Sequence, residues 1–159
     1  METQEHERLI RRAFELAEQN VKQAVGGPFG AVIVKNGDII AESANQVVAQ
    51  NDPTAHAEVS AIRLACQKLG TYDLLGCVIY TSCEPCPMCL GAIYWAHLDA
   101  IYYGNTKNDA ASIGFDDHFI YKELELPLHE RTLLITQLLP DEAIRAFKLW
   151  ESSNSDSGY

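Results

Sequence analysis

The sequence predicts an α/β fold: one mixed five-stranded sheet covered by helices on both faces. Three observations carry this. Segments with apolar residues at helical spacing alternate along the chain with short β-rich runs. An Asn-Gly pair, the strongest short hairpin signal, separates the first two β-rich runs. Gly and Pro punctuate most changes of type.

Residues 4–25 place Ile10, Phe14, Ala17, Val21 and Ala24 at steps of three and four, which predicts an amphipathic helix stopped by Gly26, Gly27 and Pro28. Residues 30–35 and 38–44 read as two strands joined at Asn36 and Gly37. Asp52 reads as an N-cap and Pro53 as the first residue of a second helix, running to Leu69 and ending at Gly70. Residues 76–81 predict a buried strand, and a third helix runs from Pro87 to Ala96. Residues 100–103 form a strand stopped by Gly104, and 116–123 a short helix. Residues 131–139 supply the fifth strand, and Pro140 opens the last helix. The order is α-β-β-α-β-α-β-α-β-α. Residues 1–151 make one domain and 152–159 a polar tail.

The net charge is −10, and acids exceed bases in both halves. No basic stripe or tail is present, which argues against tRNA or DNA as a partner and leaves a small uncharged substrate open. The N-terminus carries no signal-peptide pattern, and no apolar run approaches the ~20 residues of a membrane span. The chain therefore reads as cytoplasmic, with no membrane partner.

Three of the five cysteines, Cys83, Cys86 and Cys89, crowd into one short stretch. An odd count without an export signal argues against a disulfide framework. His56 and Glu58 form H-x-E, and Pro85 to Cys89 form P-C-x-x-C. Both segments fall at expected helix starts after strands, where an open sheet gathers its sites. One imidazole nitrogen and two thiolates make a zinc-type ligand set, and three protein ligands leave a fourth position for water. Helix N-termini favour the thiolate forms. Glu58 then stands as a proton acceptor that is not itself a ligand. Together the two motifs are the signature of zinc nucleobase deaminases. Two alternatives remain open here: a closed structural site with Cys83 as fourth ligand, and an iron–sulfur run drawing on Cys66 or Cys77. The simpler reading of Cys66 and Cys77 is core packing, and of His6, His97, His118 and His129 the surface.

The chain resembles the cytidine-deaminase superfamily, and within it the compact guanine deaminases. The resemblance is carried by GGPFGAVIVKNG (26–37), NDPTAHAEVSAIR (51–63), YTSCEPCPMCLGAIYWA (80–96) and GFDDHFIY (114–121). It implies a three-layer α/β/α sandwich, zinc held by His56, Cys86 and Cys89, and conversion of guanine and water to xanthine and ammonia. It implies that Glu58 takes a proton from the attacking water and delivers it to ring N3 while C2 is attacked. Backbone N–H groups near Ala57 and Cys86 would face the reacting oxygen. Asn45 resembles the base-binding asparagine of the family, and Phe29 and Trp95 would sandwich the base. A homodimer is implied, in some members with an exchanged C-terminal segment.

Guanine shows two donors beside its reacting carbon, whereas adenine shows an acceptor at N1. An ionised carboxylate only accepts, so it selects guanine. Asp117 is the candidate for that role within the catalytic set. The alternative is that Asp116 and Asp117 merely cap a helix. Tyr159, at the end of the tail, is a candidate for closing the pocket. Three functions are consistent with the sequence: a guanine deaminase (or a guanosine or other aminopurine deaminase), a tRNA adenosine deaminase, and a non-catalytic zinc-stabilised module.

Overall fold

A computed structural model describes residues 2–153 and 158–159. It divides into two units, residues 1–118 and 119–159. The first contains α1 (Thr3–Lys22), β1 (Gly30–Lys35), β2 (Asp38–Ala44), α2 (Val47–Gln50), α3 (Ala57–Leu69), β3 (Cys77–Cys83), α4 (Pro87–Trp95), β4 (Ala100–Asn105) and α5 (Lys107–Ser112). The second contains α6 (His118–Glu125, whose first residue closes the first unit), a 3₁₀ turn at Leu128–Glu130, and α7 (Pro140–Ser152).

The strand order is β2-β1-β3-β4. β1 pairs antiparallel with β2 and β3, and β3 pairs parallel with β4, so the sheet is mixed. Asn36 and Gly37 both take positive φ, 51° and 82°, the double left-handed geometry of a type I′ hairpin turn. β1 is buried along Gly30 to Val34 and reads as an unbroken apolar run because both its faces are covered. Ala31 and Ile33 pack with Ala57, Ala61 and Ala65 of α3, while Val32 and Val34 pack with Leu9 and Ala13 of α1. Helix, sheet and helix therefore form three layers in this unit. Burying each Leu or Ile side chain contributes roughly 1.5–3 kcal/mol. The approach of α1 is close: a Cβ at Gly30 would strike Ala13 O and come within 2.9 Å of Ala17 N.

The sheet has four strands, not five. Residues 131–139 enter no ladder among the described residues, although their composition suits a strand. Strand propensity states a fit to a pleated surface and supplies no partner. The start of the segment is instead tied by side chains: the Thr132 N–H and hydroxyl donate to the Glu123 carboxylate at 2.9 and 2.7 Å.

Two boundaries and the burial of one side chain also differ from expectation. Asp52 does not cap α3: its carboxylate accepts from the Thr54 N–H and hydroxyl in a local turn, and α3 starts after His56. Asx turns of this kind compete with helix caps for the same side chains. Gly104 lies inside β4 rather than ending it. A Cβ there would come within 2.5 Å of Phe14 Cε1, so glycine serves close packing and not termination. His6 is half-buried, its Nδ1 2.7 Å from the hydroxyl of buried Tyr80, and is not a plain surface residue.

Candidate active site

Register brings four chain segments to one end of the sheet. Gly30 faces Ala44, Ala31 faces Thr81, and Cys83 faces Asn105. Phe29, Asn45, the loop after Cys83 and Thr106 therefore leave the sheet at the same edge. His56 is the N-cap of α3, and Cys86 the N-cap of α4 with Pro87 at its first turn. Both metal-type motifs thus sit at helix N-termini, whose partial positive charge favours anionic groups. Within the loop, the Thr81 hydroxyl donates to Cys83 O at 2.7 Å and shapes the exit from β3.

His56, Cys86 and Cys89 offer ligand atoms that all lie within 4.8 Å of one another. His56 Nδ1 is 3.5 Å from Cys86 Sγ and 3.4 Å from Cys89 Sγ. The Cys86 sulfur accepts from the Cys89 N–H. The Cys86 thiol is pushed down to about 4, chiefly by the hydrogen bond from the Cys89 thiol and then by His56. Cys89 is pushed up, first by Cys86 and then by burial. Two adjacent sulfurs thus share one proton, and a soft divalent cation would replace that proton and let both ionise. The donor set therefore fits zinc. Cys83 is not in this group: its Sγ lies 3.6 Å from Thr106 O, and burial raises its thiol to about 11.

Glu58 occupies the first turn of α3 and is 7% exposed. Burial raises its pKa, opposed by a hydrogen bond with Cys89. A carboxyl whose proton is held more tightly than usual suits a group that must both take and give one. Ala57, between ligand and base, is fully buried.

Asn45 is 8% exposed, its N–H donating to Phe29 O at 3.0 Å. Phe29 is half-buried and meets Phe115 edge-on, ring centres 4.9 Å apart. Asp117 is half-buried, and desolvation followed by the nearby Cys86 charge raises its pKa. Asp116 Oδ1 accepts from the His118 N–H at 2.8 Å, a local turn bond at the start of α6. Trp95 ends α4 and is 64% exposed. Tyr159 is exposed in the second unit, and residues 154–157 of the tail lie outside the described residues.

Sequence reading missed α5 and its ties to the ligand loop. The Glu84 N–H donates to Asn105 O at 2.8 Å, and Glu84 Oε1 accepts from the Lys107 N–H at 3.1 Å. Thr106 and Asp109 form a capping box at the start of α5. That T-x-x-D spacing was the available signal. Phe115 was also missed: an aromatic after a glycine carries no mark of its partner.

Residues 3–105 match the family described as the cytidine and deoxycytidylate deaminase zinc-binding region. A guanine deaminase of Bacillus subtilis is 54% identical over 154 residues, 97% of this chain and 99% of that protein. An X-ray structure of the guanine deaminase from Bacillus subtilis superposes with a TM-score of 0.92 at 53% identity, covering 97% of this chain and 98% of that one. A tRNA-specific adenosine deaminase of Haemophilus influenzae is 37% identical over 127 residues, covering 76% of this chain and 72% of that protein.

Proposed function

The chain belongs to the cytidine and deoxycytidylate deaminase family, and from that premise we propose that it hydrolyses guanine to xanthine and ammonia. The observation that carries this reading is the extent of the likeness to a guanine deaminase. It spans 154 residues, well beyond the family region that ends at Asn105, and so takes in the arm bearing Phe115 and Asp117.

His56, Cys86 and Cys89 hold zinc. When bound, the metal acts as a Lewis acid that makes water a nucleophile near neutral pH. Glu58 accepts a proton from the attacking water, delivers it to ring N3 as C2 is attacked, and assists departure of the amine as ammonia. The backbone N–H groups at Ala57 and Cys86 face the reacting oxygen. Asp117 accepts from the N1–H and amine donors of guanine. Asn45 contacts a purine edge, and Phe29 and Trp95 flank the ring.

Residues 1–151 act as one deaminase domain, in the cytoplasm, as a homodimer with an exchanged C-terminal segment, and Tyr159 closes the pocket. Large apolar side chains left exposed in 119–159 support a covering partner, among them Leu134 at 90% and Leu138 at 78%. Five unpaired cysteines suit a reducing compartment. The acidic balance supports a free purine over nucleic acid.

Ammonia release from guanine, guanosine, adenine and an adenosine-bearing tRNA stem-loop tests the reading. Guanine is expected to be the best substrate. Silence on guanine, or preferred turnover of the tRNA, overturns it.

A further inference from the structure

The inward stripe of α1 consists of Leu9, Ala13, Ala17 and Asn20. An asparagine ends an otherwise apolar row, only 6% exposed, and such a group needs partners where it lies. Its Nδ2 donates to Gly27 O at 2.8 Å and to Asn45 O at 2.9 Å. One buried amide thus joins the loop that leads to Phe29 and the loop that leads from β2 to His56. The junction is tight: a Cβ at Gly26 would lie 2.7 Å from Asn45 O and 3.2 Å from Asn20 Nδ2.

Asn45 is held at two further points, and its neighbour at a third. Its N–H donates to Phe29 O at 3.0 Å, its Oδ1 accepts from the Val47 N–H at 3.2 Å, and the next residue, Gln46, donates through its N–H to Ala55 O at 2.9 Å. With Oδ1 engaged by a backbone donor, the amide of Asn45 offers its NH₂ hydrogens to a ligand.

Resting on the proposed function, we infer that Asn20 is a positioning residue of the purine site. It fixes Asn45 through its main-chain carbonyl, and holds the Phe29 loop through Gly27, so that the Asn45 amide meets an acceptor on the purine edge as a donor. An apolar side chain at position 20 would leave both carbonyls without that donor. The loop would then shift the Asn45 amide relative to the base, and binding would suffer more than the chemical step.

The test is steady-state kinetics on the full-length, zinc-loaded protein with guanine. Asn20→Ala is expected to raise KM about tenfold while kcat stays within about threefold, the pattern of lost uniform binding. Asn20→Ser, which keeps one donor, should fall between Asn20→Ala and wild type, and it carries the comparison if the alanine variant does not fold. In an Asn45→Ala background the same change at position 20 should alter KM less than about twofold, because the group it acts through is gone. An unchanged KM overturns the inference, as does a loss confined to kcat. An equal effect in both backgrounds also overturns it, since that is the mark of a purely structural role. A wild-type protein that releases no ammonia from guanine overturns the functional reading itself, a separate outcome seen before any variant is made.

Discussion

Glu58 stands two residues beyond the candidate ligand His56 on the first turn of a helix, buried and within hydrogen-bonding reach of Cys89. Its proposed work is proton transfer and not metal binding, and the two roles separate experimentally. Glu58→Gln keeps size and neutral hydrogen bonding but takes up no proton at working pH. It should retain zinc by elemental analysis and lose about 10²–10⁴ in kcat, the usual contribution of general acid–base catalysis. Activity within a few-fold of wild type would remove Glu58 from the mechanism. The thiols separate in the same way. Cys86→Ser should lose bound zinc, because its sulfur sits with His56 and Cys89, whereas Cys83→Ser should keep about one zinc per chain. Metal loss from the Cys83 variant alone would make Cys83 the ligand.

Between α1 and β2, packing is supplemented by a two-point ion pair. Arg12 Nη2 lies 2.6 Å from Glu42 Oε1, and Nε lies 2.9 Å from Oε2. The hydrogen bond from Arg12 holds the Glu42 carboxyl below its ordinary 4.5. A group whose pKa is depressed by folding adds stability above its unfolded pKa and loses it as pH falls through the folded one. Wild type should therefore exceed Glu42→Gln in urea midpoint at pH 7, by a modest margin because both side chains are about a third exposed. The gap should close as pH drops below about 4.5. A gap that does not narrow as pH falls further below 4.5 would place the effect in packing and not in charge. α4 shows a different use of an element: the Cys89 N–H of its first turn donates to the Cys86 sulfur, so the helix is stabilised by the group whose thiolate it favours.

At the scale of the molecule, residues 119–159 expose Leu134, Leu138, Phe147 and Leu149, a density of apolar surface that water disfavours. Sedimentation should therefore report a dimer, and a monomer at tens of micromolar would contradict the proposed exchange of the segment. Removing residues 152–159 should lower guanine turnover while zinc content and thermal unfolding stay near wild type, since Tyr159 is proposed to close the pocket and not to support the core. Unchanged kinetics would make the tail dispensable. The sequence by itself determined what is local or periodic. The Asn36-Gly37 turn, the Gly70 stop and the two candidate ligand motifs at helix starts depend on neighbours within a few residues, and each is where the pattern placed it. The α1 helix is there too, but its inward row is Leu9, Ala13, Ala17 and Asn20, and of the expected Ile10, Phe14, Ala17, Val21 and Ala24 only Ala17 is buried. Tertiary structure decided what depends on partners distant in the chain. Residues 131–139 have strand composition and no ladder, because a strand is defined by its pairing. Asp52 forms a turn with Thr54 instead of capping α3. Asn20 reads as one more polar residue on an amphipathic helix until the fold brings Gly27 and Asn45 to it. A buried donor finds its acceptors only when the layers close, and no local pattern records that meeting.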